Sequence, residues 1–191
     1  YHKKLPADLQ ANLPKALAEA REFCRVEYPA ALLRGNALPP AERTKVAAKL
    51  ARLTGLPEQL INDNDLQISP TLFRKKLLAA HGLILGRYDA RITGRDAARG
   101  AQYPGFDPSY AATYGPFSAA MNSYVREELN FDNDLPYEIL AGVQPWNYDA
   151  RSSPPTVSDR LASAMNQNPH LRVLVLGGLR DLACPIDGVI Y

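Results

Sequence analysis

Apolar residues recur at helical spacing over much of this chain. Val46, Leu50 and Leu53 fall at i, i+4 and i+7, which puts one apolar stripe on a helix over residues 41–54. Pro39-Pro40 lead into it and Gly55 follows as a stop. Ser69-Pro70 is an N-cap followed by proline at the first helical position, and the helix it opens runs through Phe73, Leu77 and Leu78 to Gly82. Asp107-Pro108 repeats that signal and predicts a helix to about Leu129, broken at Gly115-Pro116. A further helix over residues 158–166 places Val157, Leu161, Ala164 and Met165 on one face.

Period-two signals are sparse. Leu171-Arg172-Val173-Leu174-Val175-Leu176 is short, β-branched and almost wholly apolar, and it ends at Gly177-Gly178. This is the pattern of a strand buried on both faces, as in a parallel sheet covered by helices. Residues 137–140 give a weaker strand signal, residues 144–155 read as a proline- and serine-rich loop, and residues 86–103 read as irregular. A buried strand needs neighbours on both edges, because unpaired backbone groups in a core cost free energy. So few strands are predicted that the chain is expected to be part of a larger sheet protein. Its strand is then expected to stand exposed at an edge or to pair with a second copy.

The 191 residues suffice for one hydrophobic core, and a net charge of +2 gives no basic stripe for nucleic acid. No run approaches the roughly 20 apolar residues of a membrane span. Tyr1-His2-Lys3-Lys4-Leu5-Pro6 lacks the apolar run of a signal peptide, though a secreted or periplasmic setting stays open if the true N-terminus lies upstream. Cys24 and Cys184 have no metal spacing and are expected to be unpaired buried thiols. No His/Cys/Asp/Glu cluster has metal spacing and no nucleotide loop is complete, so no cofactor is expected.

Ligand sites of open α/β sheets lie beyond the carboxyl ends of the strands, which is where Asp181 would stand after Leu176. A carboxylate there can orient a histidine in a triad, or be a solvated turn aspartate. Of the three histidines, His170 precedes the apolar run that Asp181 follows, a separation of roughly 20 Å along a strand. His81 closes a helix before Gly82, and His2 is terminal and expected to be mobile. No serine has the small flanks of a nucleophile turn, and no glycine-rich loop offers oxyanion amides. Arg87, Asp89 and Arg91 form a charged loop that either faces substrate or is a surface ion-pair cluster. Tyr103, Tyr110, Tyr114, Tyr124, Tyr137 and Tyr148 line a groove or serve as core and interface residues.

The segment Asn168-Pro-His-Leu-Arg-Val-Leu-Val-Leu-Gly-Gly-Leu-Arg-Asp181-Leu-Ala-Cys-Pro185 resembles the part of bacterial serine carboxypeptidases that carries the triad aspartate, with Gly178 and Asp181 at the Gly-x-x-Asp positions. Further blocks agree in order: Tyr28-Pro-Ala-Ala-Leu-Leu-Arg-Gly-Asn-Ala-Leu, Leu53-Thr-Gly-Leu, Phe73-Arg-Lys-Lys-Leu-Leu, Gly86-Arg-Tyr-Asp-Ala-Arg, Asp107-Pro-Ser-Tyr, Leu135-Pro-Tyr-Glu-Ile-Leu and Val143-Gln-Pro-Trp146-Asn-Tyr. The resemblance covers roughly residues 17–191. It implies an α/β-hydrolase fragment: a predominantly helical insertion, residues 1–156, over the site, then a helix-strand-turn of the core, residues 157–191, with one buried strand of the central sheet carrying the triad aspartate. The implied activity is removal of C-terminal residues from peptides through an acyl-enzyme, without a metal. Asp181 is the one triad position carried over, Cys184 matches a cysteine near the active site of some eukaryotic members, and Arg87 is a candidate for substrate binding. The family's serine and histidine would lie before and after this segment, so the chain alone is expected to be inactive. The competing readings are a non-catalytic helical binding module derived from the family and an enzyme built on Asp181 alone.

Overall fold

The computed structural model describes residues 1–140 and 157–190. The block at residues 143–148, including Tyr148, lies outside the described residues, as do residues 144–155 read as a loop. The chain divides into two units, Tyr1–Ala112 with Leu179–Tyr191, and Thr113–Gly178.

The first unit is mostly helical. It opens with α1 (Ala7–Ala11), α2 (Leu13–Arg25), α3 (Glu27–Arg34), α4 (Pro40–Thr54) and α5 (Glu58–Asp63). The side chain of Asn12 caps α2 by accepting from the Lys15 N–H at 3.0 Å. Helix α4 begins at Pro40 and ends where Gly55 adopts φ +76°, a left-handed cap that a side chain would strain. Its predicted stripe faces inward: Val46 and Leu50 are buried with Phe23, Ala31, Ala47, Leu56, Ile61 and Leu66, and Leu53 packs against them. Phe23 is wholly buried and stacks on Tyr28 with ring centres 5.6 Å apart. Around this core Arg52 pairs with Asp8 and Glu19, and Lys49 with Glu27, all at partly exposed positions where such pairs add little.

Beyond the core come α6 (Pro70–Lys76), a 3-10 turn at Ala79–His81, and the strands β1 (Leu83–Leu85) and β2 (Thr93–Arg95). Ser69 caps α6 as predicted, accepting from the Leu72 N–H at 3.1 Å, but the helix stops at Lys76 rather than continuing to Gly82. The strands form an antiparallel hairpin with Ile84 opposite Gly94. This corrects the irregular reading of residues 86–103: β2 is only Thr-Gly-Arg, and its glycine hides the signal. A Cβ at Gly94 would stand 2.7 Å from Phe106 Cζ, so the hairpin packs where only glycine fits. Helix α7 (Pro108–Ser123) opens in this unit, and α9 (Ile186–Ile190) closes it.

The second unit holds the rest of α7, a π-turn at Tyr124–Glu128 and α8 (Ser158–Gln167). Helix α7 is not broken at Gly115-Pro116; Pro116 is exposed, so the carbonyl it cannot bond is open to water. The predicted apolar face of α8 forms but stays uncovered, with Val157, Leu161 and Met165 exposed. Residues 137–140 form no strand.

The expected buried strand is the main correction. Residues 171–176 join no ladder among the described residues, and Leu174 and Leu176 are 82% and 83% exposed. A strand of this composition is buried only when neighbours cover both faces and pair both edges, and the hairpin of the described residues is made by other segments. The predominance of helix stands. The two cysteines are unpaired but exposed, not buried.

The core of the first unit predicts its own test. Phe23→Ala is expected to cost about 3–5 kcal/mol in urea denaturation, the range for emptying a buried aromatic site. Leu33→Ala, at a position 89% exposed, is expected to change stability little.

Candidate functional site

Charge is buried where α6 meets the hairpin. Arg74 and Lys75 sit inside α6 and are 7% and 1% exposed. Ions taken out of water need compensation, and each finds it on a different segment. Lys75 Nζ donates to Asp96 Oδ1 at 2.7 Å and to the Ala98 carbonyl at 2.6 Å. Arg74 Nε donates to the Leu85 carbonyl at 3.1 Å, while its Nη2 lies 3.5 Å from Asp107 Oδ1, an ion-pair rather than a hydrogen-bond separation. Burial pushes the Arg74 pKa down, against the pull of Asp107.

Asp107 is the hub of the next layer. Its Oδ1 accepts from the Arg87 N–H at 2.9 Å, the Ser109 N–H at 3.0 Å and the Ser109 hydroxyl at 2.7 Å. Burial works to raise its pKa, but these bonds and Arg74 outweigh it and hold the carboxyl below its ordinary value. Ser109 Oγ in turn accepts from the Tyr88 N–H at 3.0 Å. The approach requires Gly86, where a Cβ would stand 2.5 Å from the Asp89 carbonyl oxygen and 2.7 Å from Ser109 Cβ. The loop over residues 86–91 is thus held against the start of α7.

Asp181 is attached to the same loop. The Ala90 N–H donates to the Arg180 carbonyl at 2.9 Å, and the Leu182 N–H to the Arg87 carbonyl at 2.8 Å. Two of the sequence-selected residues, Arg87 and Asp181, are therefore brought onto adjacent, backbone-bonded segments. Asp181 is half-buried, and its Oδ1 accepts from the Ala183 N–H at 2.7 Å and the Cys184 N–H at 3.1 Å. Cys184 contributes that N–H while its thiol is free. Arg87 is exposed, with its guanidinium 5.7 Å from the Tyr88 ring centre. Asp89 and Arg91 form the ion pair of the charged loop, closing to 2.6 Å, and the Arg91 hydrogen bond holds the Asp89 carboxyl down at about 2.

No histidine bonds to Asp181 among the described residues. His2 Nε2 lies 2.6 Å from the Ala90 carbonyl oxygen, and its ring packs edge-on to Tyr1. His81 ends the 3-10 turn, and the backbone N–H of His170 bonds to Asn168 Oδ1. Tyr103, Tyr114, Tyr124 and Tyr137 are exposed. Among the described residues no cluster could hold a metal ion, and no helix is long and apolar enough to cross a membrane. Surface hollows formed by described residues of the first unit include one of about 550 Å³ and one of about 650 Å³, neither lined by Asp181, Cys184 or Arg87.

Sequence reasoning gave Arg74, Lys75, Asp96, Asp107 and Ser109 no role at a site, although all but Asp96 fall in blocks that resemble the family. A signal did exist: Arg74-Lys75 follow Phe73 and precede Leu77-Leu78, so some charge must share the apolar face. Comparison of the chain with protein-family models, with curated proteins and with solved structures found no match.

The carboxylates of this region predict an acid profile. Asp89, Asp96 and Asp107 all titrate below their ordinary value of 3.8 in the folded chain, Asp96 chiefly through the Lys75 hydrogen bond. Lowered groups contribute stability above the unfolded pKa and lose it as pH falls through the folded one. The melting temperature is therefore expected to hold above about pH 4 and to fall from there toward about pH 2. Asp107→Asn should lower it at neutral pH and flatten the acid slope; an unchanged slope would remove Asp107 from the linkage.

Proposed function

We propose that these residues belong to a serine-type carboxypeptidase, with Asp181 as the triad acid. The observation that carries this reading is the state of the Asp181 carboxylate. Backbone N–H groups fix Oδ1, and among the described residues no hydrogen bond occupies Oδ2. A carboxylate held this way can accept the Nδ1–H of a histidine, fix its tautomer and stabilise the imidazolium that forms as a serine attacks. The histidine and serine come, in this reading, from sequence outside these 191 residues. Collapse of the tetrahedral intermediate breaks the peptide C–N bond, the C-terminal residue leaves with its amine protonated by the imidazolium, and water then hydrolyses the acyl-enzyme. The joining of the loop at 86–91, Asp107-Ser109 and the Asp181 segment supports the reading further, since each belongs to a block that resembles the family. Arg87, exposed beside Asp181 in this arrangement, is assigned to the substrate side.

A second reading, a non-catalytic helical binding module, is favoured by the exposed Tyr114, Phe117, Met121 and Tyr124, which recur along α7 and its π-turn at intervals suited to one helix face.

Peptide hydrolysis by the complete reading frame separates the two. Asp181→Asn is expected to lower turnover of a blocked dipeptide on the order of 10⁴-fold without changing the melting temperature. Asp187→Asn, whose carboxylate pairs with Arg21 at 2.6 Å, is expected to keep turnover. Near-normal turnover in Asp181→Asn, or the larger loss in Asp187→Asn, would sink the triad assignment.

In the same reading residues 171–176 pair with neighbouring strands in the complete protein and with a second copy in the isolated chain. Light scattering of the isolated 191 residues should show association, and Leu174→Lys combined with Leu176→Lys should abolish it. A wild-type monomer at high concentration would count against the strand edge as the contact.

A further inference from the structure

The hollow of about 550 Å³ beside the hairpin has an unusual charge balance. It is lined by His81, Gly82, Leu83, Arg95, Asp96, Ala97 and Arg99. Asp96 is the only carboxylate of this lining, and Lys75 already takes it at 2.7 Å from the buried side. Arg99 reaches Asp96 only as a more distant charge. Both exposed guanidinium groups, on Arg95 and Arg99, are thus left without a neutralising partner in the lining. Lys4, outside the lining, donates from Nζ to His81 Nε2 at 3.2 Å, which makes the imidazole the acceptor.

The backbone gives these cations their positions. Arg95 ends β2, opposite Leu83 of β1, so its place is set by the hairpin register. The Asp96 N–H then donates to the Gly82 carbonyl at 2.8 Å, which closes the turn on which Arg99 stands. Gly82 has φ +67°, and a Cβ there would collide with the Arg99 guanidinium. The guanidinium thus lies close over the turn at Gly82 and lines the hollow. Arginines on one lining, whose one carboxylate is already paired with Lys75, repel one another, and an anion between them reduces the repulsion. Two guanidinium forks suit the tetrahedral oxygens of a phosphate.

We propose that this hollow binds a small soluble phosphate, free or as a phosphomonoester, between Arg95 and Arg99. The site is independent of the carboxypeptidase reading, since none of these residues belongs to a block that resembles the family.

Calorimetric titration of the full chain with inorganic phosphate, at ionic strength held constant with chloride, tests it. Saturable binding at one site is expected. Arg95→Gln and Arg99→Gln should each weaken it about tenfold, the usual effect of losing one charge-assisted bond. Both side chains are exposed, so circular dichroism should show folded variants. Arg99→Lys, which keeps the charge but loses the fork, should fall between wild type and Arg99→Gln. Arg25→Gln, at an exposed position on α2, carries the same charge change and should leave binding intact. Absence of saturable heat, or an equal loss in Arg25→Gln, would overturn the site. Cosedimentation with phosphatidic-acid vesicles without binding of the free ion would overturn the soluble ligand.

Discussion

Two neighbouring cations on one short helix organise the hairpin region. Arg74 and Lys75 are buried, and a buried charge is tolerable only with partners in place. Lys75 finds Asp96 just past β2; Arg74 finds the end of β1 and Asp107 ahead of α7. The partners come from segments far apart in sequence, so satisfying the helix fixes the hairpin and the start of α7 together. Such pairs are weak evidence of net stability, because desolvation offsets much of the attraction. Their effect here is to specify which segments meet.

From that constraint the candidate site follows by hydrogen bonds. Asp107, already near Arg74, accepts from the Arg87 N–H and from Ser109. The loop so held presents backbone groups to Arg180 and Leu182, which flank Asp181. A loop usually varies in position because its backbone bonds to water. This one is tied on two sides, which is the condition a carboxylate needs if it is to orient another side chain accurately. The same turn geometry, through Gly82 and the register of β1 with β2, sets out Arg95 and Arg99 along the other hollow of the hairpin.

The sequence by itself determined the helices that carry explicit start and stop signals. The stripe of Val46, Leu50 and Leu53, the Ser69-Pro70 and Asp107-Pro108 starts, and the Gly55 stop are local, because caps and periodicity act within a few residues. It also marked Asp181 and Arg87 as residues worth examining. Only the tertiary structure decided what depends on distant partners. The apolar run at 171–176 has strand composition, yet burial of a strand is a property of its neighbours, and here Leu174 and Leu176 face water. The hairpin was hidden because its second strand is three residues with a central glycine, and its pairing is a relation between segments rather than a pattern within one. The roles of Arg74, Lys75, Asp96 and Asp107 were hidden for the same reason: a charge looks solvated along the chain until folding brings its counter-charge to it, and Coulomb attraction depends on distance in space rather than separation in sequence.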